Sequence, residues 1–161
     1  MQSNRELAGV FRFLANALEW QGENAFKVRA YRLAADTLAG LSEPVEDLVA
    51  RNALRDLPHI GEAIDKKVRQ YLAEGTFPAL ERVKGQIPLS VQELLKLPGM
   101  TGRAVRALQE RLGIEDVEAL RLAAEDGSLL REKWTPAVRE AIAQAISNLV
   151  PSENTAPAKP T

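Results

Sequence analysis

LPHIGEAIDKKV, residues 57–68, predicts a tight turn that leads directly into a helix. Pro58 fixes its own φ angle, and Gly61 can adopt backbone angles that are closed to other residues. After the turn, apolar residues recur at spacings of three and four until Gly75, where the helix is expected to end. The first N–H groups of such a helix have no partner within it. Together with the helix dipole they favour a bound anion such as a phosphate.

The chain repeats this pattern 40 residues later and, more weakly, a third time. LPGMTGRAVRAL, residues 97–108, leads to an expected helix end at Gly113. KWTPAVREAI, residues 133–142, keeps the proline and the apolar spacing, but Lys133 and Thr135 stand where glycines would be expected. We interpret this third unit as a structural cap. Since no alternating strand pattern occurs, we predict an all-α, compact array of about 8–10 short helices with two hairpins and a degenerate third.

The first two stretches resemble helix-hairpin-helix motifs of proteins that bind DNA without reading its sequence. GENAFKVRAYRLAADTL at residues 22–38, the first hairpin and the segment 88–129 follow in the order seen at the N-terminus of family X DNA polymerases. The bacterial members are the most similar, and the lyase domain of polymerase β is similar too. The resemblance implies a non-specific DNA-binding module of repair or replication that lacks the polymerase catalytic domain.

Resemblance and composition together predict three segments. Residues 1–84 would form a polymerase β-like, lyase-type helical subdomain with the first hairpin, and residues 85–150 would carry the second hairpin and the degenerate third unit. Residues 151–161 consist of Pro, Ala, Thr, Ser, Glu, Asn and Lys and have little to bury, so we expect a disordered tail. The sequence leaves open whether the chain is a stand-alone protein or a fragment.

The composition excludes several classes of site. There is no cysteine and only one histidine, which argues against disulfides, thiolate zinc sites and histidine-rich metal sites. A net charge of −1 is unusual for a DNA-binding protein, although backbone amides can bind phosphate without side-chain charge. No run of about 18 apolar residues indicates a membrane span. We therefore expect a cytoplasmic protein that does not contact a membrane.

In the family, each hairpin binds a backbone phosphate of duplex DNA through amides at its tip, and such contacts carry no sequence information. By position, the predicted contacts are His59, Ile60, Gly61, Glu62, Ala63, Gly99, Met100, Thr101, Gly102, Arg103 and Arg106. A monovalent cation such as K⁺ or Na⁺ often lies among the hairpin carbonyls of the family. Its predicted ligands here are the carbonyls of Arg55, Leu57 and Ile60, and of Leu95, Leu97 and Met100. No other cofactor is expected.

Basic side chains support the second hairpin, whereas two substitutions depart from the family pattern. Residues 96–111 carry four positive charges and one negative, and Arg103 and Arg106 share a helix face. His59 stands where the first hairpin normally has a glycine, and Thr101 stands where the second has one. A side chain at either place weakens or alters the phosphate contact, although His59 could itself bind phosphate.

A second interpretation is chemical. In polymerase β-like lyase domains, a lysine after the first hairpin forms a Schiff base with an abasic 5′ end, and Lys67 matches that residue. Such a lysine must be neutral, through burial or nearby positive charge, which Lys66 and Lys27 could supply. Lys27, Tyr31 and Arg32 match residues that line the family's 5′-phosphate pocket, and they complete the predicted DNA contacts.

Other positions of that pocket are lost. Phe26 replaces a histidine, and Ala63 and Ala79 replace lysines, so a 5′-phosphate has fewer cations to hold it. The alternative for Lys67 is an ordinary solvated lysine. A third interpretation is a protein-docking module that no longer binds DNA, which the near-neutral charge favours. The expected partners are duplex, nicked or gapped DNA, and a separate repair or polymerase protein remains open.

Overall fold

The computed structural model describes residues 2–155, and within these residues the fold is all-α, which confirms the predicted class. Ten α-helices and one short 3-10 turn make up this part of the chain. They are α1 (Gln2–Gln21), α2 (Ala25–Ala39), α3 (Val45–Ala50), the 3-10 turn (Leu54–Asp56), α4 (Glu62–Glu74), α5 (Pro78–Gln86), α6 (Leu89–Leu95), α7 (Gly102–Leu112), α8 (Val117–Glu125), α9 (Ser128–Arg131) and α10 (Pro136–Thr155).

The chain divides into two compact units, Met1–Ile87 and Pro88–Thr161. The boundary predicted from the sequence lay at 84/85. The helix α5 continues to Gln86, so the last turn of that helix belongs to the first unit. No helix in the described part of the chain is long and apolar enough to cross a membrane.

In the first unit, a column of aromatic rings joins α1, α2 and the start of α5. The ring of Phe11 stacks on Tyr31 at a centroid distance of 5.9 Å and on Phe77 at 5.8 Å. Tyr71 meets Phe77 edge-on at 6.4 Å. Phe11 and Phe77 are fully buried, so their contacts fix where α2 and α5 lie against α1.

Side-chain amides and glycines mark the helix ends of this unit. Asn24 accepts hydrogen bonds from the backbone N–H of Phe26 and Lys27, as its place before α2 predicts. Gly75 adopts a left-handed conformation with φ of 77° and ends α4. The buried side chain of Asn4 accepts from Val45 N at 2.8 Å and donates to the carbonyl of Glu43 at 2.8 Å. Asn4 on α1 thus caps α3 from outside.

The second unit is built around α7, whose inward side chains Ala104, Val105 and Leu108 are fully buried. Gly113, with φ of 64°, ends this helix where the sequence predicted. In the third repeat, Trp134 is 9% exposed and its indole Nε1 donates to the carbonyl of Leu129 at 2.9 Å. The tip of the third repeat is therefore occupied by a core side chain, as a structural cap requires.

The helix α10 extends to Thr155, five residues into the segment 151–161 that we predicted to be disordered. Disorder of the segment as a whole stays a prediction. Composition shows that such a segment has little to bury, but lengthening an existing helix costs far less than starting a new one. The predicted tail beyond Thr155 lies outside the described residues.

Candidate nucleic-acid interface

The two predicted hairpins share the same backbone turn. His59 has a φ of 68° and Gly99, its counterpart 40 residues on, has a φ of 85°. In each hairpin the next residue, Ile60 or Met100, is buried. The helix after the turn begins at Glu62 in the first hairpin and at Gly102 in the second. The sequence repeat is therefore a structural repeat, in which a histidine has taken the left-handed position of a glycine.

A buried carboxylate fixes the shape of the first hairpin. Asp65 on α4 accepts from Arg55 Nε at 2.9 Å and from Arg69 Nε at 2.8 Å, and its side chain is only 6% exposed. Arg69 also donates from Nη2 to Asn52 Oδ1 at 2.9 Å. Burial alone would raise the pKa of Asp65, but the hydrogen bonds from Arg69 and Arg55 outweigh it and hold the pKa below its usual range.

A second contact anchors the turn itself. The hydroxyl of Thr37 on α2 donates to the carbonyl of Pro58 at 3.0 Å. The segment before α4 is therefore held at Arg55 by Asp65 and at Pro58 by α2. Because the turn is fixed at both places, the amides that follow are oriented before any ligand arrives.

The start of α4 is open. Gly61 precedes the helix in an extended conformation, and no side chain caps the helix at this residue. A Cβ atom built on Gly61 would meet nothing within 4 Å. Gly61, Glu62 and Ala63 are all exposed. The unpartnered amides of the first helical turn can therefore approach an external anion closely.

The second hairpin is less open. The hydroxyl of Thr101 caps α7 by accepting from Ala104 N at 3.1 Å. A Cβ atom on Gly99 would lie 2.5 Å from both Cβ and Oε1 of Gln144 on α10, so this glycine is packed against a helix. Gly102 is buried. Thr101, which stands where a glycine was expected, thus occupies one of the amides at the start of the helix.

Charged side chains lie on the exposed surface of α7. Arg103 and Arg106 are exposed, and both also interact with other residues of the protein. The second hairpin therefore presents side-chain cations, whereas the first presents bare amides. The two hairpins differ in chemistry although they share a backbone.

The carbonyls predicted to bind a monovalent cation are partly used within each turn. The carbonyl of Leu57 accepts from Ile60 N at 3.4 Å, and that of Leu97 accepts from Met100 N at 3.0 Å. Each carbonyl oxygen retains a second lone pair. The cation site, which also includes Arg55 and Leu95, stays a prediction. Residues 2–155 contain no cluster of His, Cys, Asp or Glu that could hold a metal ion.

Lys67 lies in an electropositive and partly buried environment. Its Nζ is 6.0 Å from the ring centroid of Tyr31. Burial lowers the pKa of Lys67, and the charges of Lys27, Arg82 and Lys66 lower it further. The sequence pattern indicated the two lysines but not Arg82. The available signal was its position three residues after Ala79 on α5, which places both residues on one helix face.

The other residues assigned to the phosphate pocket have separate environments. Tyr31 is buried and stacks on Phe11, and burial raises the pKa of its phenol. Arg32 donates from Nη2 to Glu19 Oε1 at 2.9 Å and to Asn16 Oδ1 at 3.0 Å, so its guanidinium is held within the protein. Phe26 is 84% exposed at the start of α2. Of the predicted pocket residues, Lys27 and Tyr31 therefore lie near Lys67, whereas the guanidinium of Arg32 is bound to Glu19 and Asn16.

Comparison with known proteins identifies the region that carries the first hairpin. Residues 2–77 match the family described as the helix-hairpin-helix domain. The DNA polymerase/3′-5′ exonuclease PolX of Bacillus subtilis (strain 168) is 31% identical over 121 residues, which cover 75% of this chain and 21% of the length of that relative. Residues 2–77 therefore carry a helix-hairpin-helix domain, and the chain is similar to part of this polymerase, of whose length it spans about a fifth.

Proposed function

We propose that this chain is a DNA-binding module that grips backbone phosphates without reading sequence. The observation that carries the proposal is the open start of α4, where the amides after Gly61 face solvent beside a turn that two contacts hold in place. Amides contact phosphate without recognising bases, so the binding is independent of sequence. The similarity to a DNA polymerase supports the interpretation that the bound phosphate belongs to a nucleic acid.

The two hairpins would contribute differently to this binding. The first supplies close amide contacts, and the second supplies the cationic side chains Arg103 and Arg106. Amide contacts fix position, whereas side-chain cations release counterions and make the affinity depend on salt. The ligand is duplex DNA, including nicked or gapped duplexes, in repair or replication. A separate repair or polymerase protein would be a natural partner.

Gly61 offers a sharp test. Its φ of −94° is open to any residue, and a Cβ atom there meets nothing. Gly61→Glu therefore leaves the fold intact but places a carboxylate where the phosphate would lie, and we expect at least about tenfold weaker binding. Gly85→Glu on α5 is the matched control, because its Cβ also meets nothing. Equal affinity of the two variants for duplex DNA would contradict phosphate binding at the first hairpin.

The second hairpin is tested by reversing its charge. Arg103→Glu combined with Arg106→Glu should abolish binding and flatten the dependence of affinity on salt, while circular dichroism shows unchanged helicity. Binding is measured by salt-titrated fluorescence anisotropy on duplex, gapped and single-stranded DNA. Retained affinity in the double variant would remove α7 from the interface. Binding to none of these DNAs by the wild-type chain would leave protein docking as the function.

The environment of Lys67 favours a second candidate function, that of a 5′-deoxyribose-phosphate lyase. The lowered pKa of Lys67 increases the fraction of neutral amine that can attack the C1′ aldehyde of an abasic sugar. Water leaves as the imine forms. A proton then leaves C2′, the C3′–O bond breaks with its electron pair on oxygen, and the DNA strand departs with a 5′-phosphate. Hydrolysis of the imine frees Lys67.

Trapping with borohydride tests this candidate directly. Hydride reduces the imine to a stable secondary amine, which joins the protein covalently to a labelled 5′-deoxyribose-phosphate end. We expect an adduct with the wild-type chain and with Lys66→Ala, but none with Lys67→Ala. The absence of a wild-type adduct, or an undiminished adduct in Lys67→Ala, would remove Lys67 as the nucleophile.

A further inference from the structure

Two leucines of the second unit are exposed where α8 leads into α9. Leu122 on the last turn of α8 is 53% exposed, and Leu130 on α9 is 90% exposed. The backbone N–H of Asp126 donates to the carbonyl of Leu122 at 2.9 Å, and the carbonyl of Asp126 accepts from Arg131, the residue after Leu130, at 3.0 Å. Single apolar side chains are common on protein surfaces, but these two border the same turn between contacting elements.

Internal contacts hold Leu130 on the outside of the protein. Its neighbour Leu129 is buried, and the carbonyl of Leu129 accepts from the indole N–H of Trp134. On the other side, Glu132 accepts from Arg111 of α7 at 2.9 Å. Because the residues before and after Leu130 are anchored, this leucine is presented to solvent by an ordered backbone. A surface that is already ordered loses little conformational freedom when a partner covers it.

Carboxylates surround the exposed leucine of α8. Glu118 precedes Leu122 by four residues, and Glu125 and Asp126 follow it by three and four residues, so all of them lie on one exposed face. Arg121 is the only basic residue of α8, and it pairs with Glu118. Glu125 forms no ion pair among residues 2–155. An apolar centre with a charged rim is the usual composition of a protein interface.

The charge of this face decides what can cover the leucines. Residues 115–133 carry six acidic and three basic side chains, a net charge of −3. This charge repels the phosphates of DNA, and a symmetric contact with a second copy of the chain would bring two such faces together. A partner must therefore supply apolar side chains together with positive charges. An amphipathic helix with a basic polar face supplies both.

We propose that this face docks a basic amphipathic helix of a partner protein. We call it the α8–α9 surface, and it consists of Glu118, Leu122, Glu125, Asp126 and Leu130. Apolar side chains of the partner helix pack on the two leucines, and its lysines or arginines pair with the carboxylates around them. None of the five residues belongs to a hairpin, so the proposal does not depend on the DNA binding proposed above.

A synthetic peptide tests the proposal on the full chain. The probe is a fluorescein-labelled peptide of leucine and lysine of about 18 residues, long enough to form a helix, with its leucines spaced to form one apolar face. One control peptide has the same composition in scrambled order, and the other has glutamate in place of lysine. We expect wild type to bind the patterned lysine peptide at least about tenfold more tightly than either control, as measured by fluorescence anisotropy.

Substitutions of exposed side chains locate the contact. Leu130→Ser should weaken binding of the patterned peptide about tenfold, and Leu122→Ser about threefold, because nearly half of the Leu122 side chain is already covered in the free protein. Glu125→Lys should weaken binding about fivefold, because it replaces an attraction by a repulsion. Leu89→Ser on α6 is the matched control. That leucine is 68% exposed but lies outside the α8–α9 surface, so the variant should bind like wild type.

Each further outcome counts against the proposal. If wild type binds the patterned peptide no better than the controls, or if Leu130→Ser binds as tightly as wild type, the α8–α9 surface is not a docking site. An equal loss in Leu89→Ser would mean that the peptide binds any exposed leucine. Self-association of wild type in sedimentation velocity that Leu130→Ser removes would make a second copy the occupant.

DNA binding is measured on the same variants. Leu130→Ser should keep the wild-type affinity for duplex DNA, and a tenfold loss would place the α8–α9 surface at DNA and refute docking of a protein. If the peptide fails to bind while DNA binds, the docking proposal is wrong and the proposed function stands. Circular dichroism of Leu130→Ser excludes a loss of fold as the cause of weaker peptide binding.

Discussion

Replacing Asp65 by asparagine tests whether a buried carboxylate holds the first hairpin in shape. Asp65 accepts two charge-assisted hydrogen bonds, and such bonds contribute about 1.5–3 kcal/mol each when desolvated. The side chains of Arg55 and Arg69 are 57% and 38% exposed, so solvent screens part of that energy. Asparagine keeps the shape and one acceptor oxygen. We expect the free energy of unfolding to fall by about 2 kcal/mol at neutral pH.

The dependence on pH distinguishes the lost charge from a packing defect. The folded pKa of Asp65 is held below its unfolded value, so its stabilisation is present above about pH 4 and is lost as the pH falls through the folded pKa. Urea unfolding followed by circular dichroism at several pH values measures the difference between wild type and variant. The difference should shrink in acid. A difference that is equally large at low pH would refute the role of the charge.

Asp36→Asn provides the control for this experiment. Asp36 pairs with Arg12 at 3.3 Å, but its side chain is 68% exposed. An exposed pair contributes little, so the expected loss is below about 1 kcal/mol. A comparable loss in both variants would mean that any carboxylate pair of this unit has the same effect.

Four further substitutions test other features of the fold by urea unfolding or titration. His59→Gly should raise the free energy of unfolding by about 1 kcal/mol, because glycine adopts a φ of 68° without strain. Gly99→Ala should lower the free energy of unfolding, because the Cβ of the alanine would lie 2.5 Å from Gln144 of α10. Asn4→Ala should cost about 2 kcal/mol, because one buried and one partly buried backbone group lose their partner, and a loss below about 0.5 kcal/mol would contradict its capping role. Burial and the hydrogen bond to Glu6 raise the pKa of Tyr71 to about 12, so its phenolate absorbance should develop well above pH 10, and Glu6→Gln should move the titration towards pH 10.

Local signals predicted the helix ends well. Asn24 caps α2 and Gly75 ends α4, because each acts on backbone groups within a few residues of itself. The relation between the hairpins was also visible, since a fixed spacing of 40 residues links His59 to Gly99. Each cap and each turn depends on residues a few positions away, and these residues can be read directly from the sequence.

Features that depend on distant partners were not predictable in the same way. Three contacts form only in the packed fold. Arg32 binds Glu19, Asn4 accepts a hydrogen bond from the first residue of α3, and Arg55 donates to Asp65. The only indication in the sequence that Arg82 lies near Lys67 was weak, namely that Arg82 shares a helix face with Ala79. The sequence therefore indicated the helix-hairpin-helix turn, whereas the partners of each charged side chain became clear only from the structure.

The cap that Asn4 provides has a consequence for the order in which the chain assembles. A six-residue helix such as α3 is unstable alone, and its first turn is completed by a side chain made some forty residues earlier. During synthesis, that side chain has already left the ribosome when Val45 emerges. The amino-terminal half of this unit can therefore organise on the nascent chain before the residues of the first hairpin leave the ribosome.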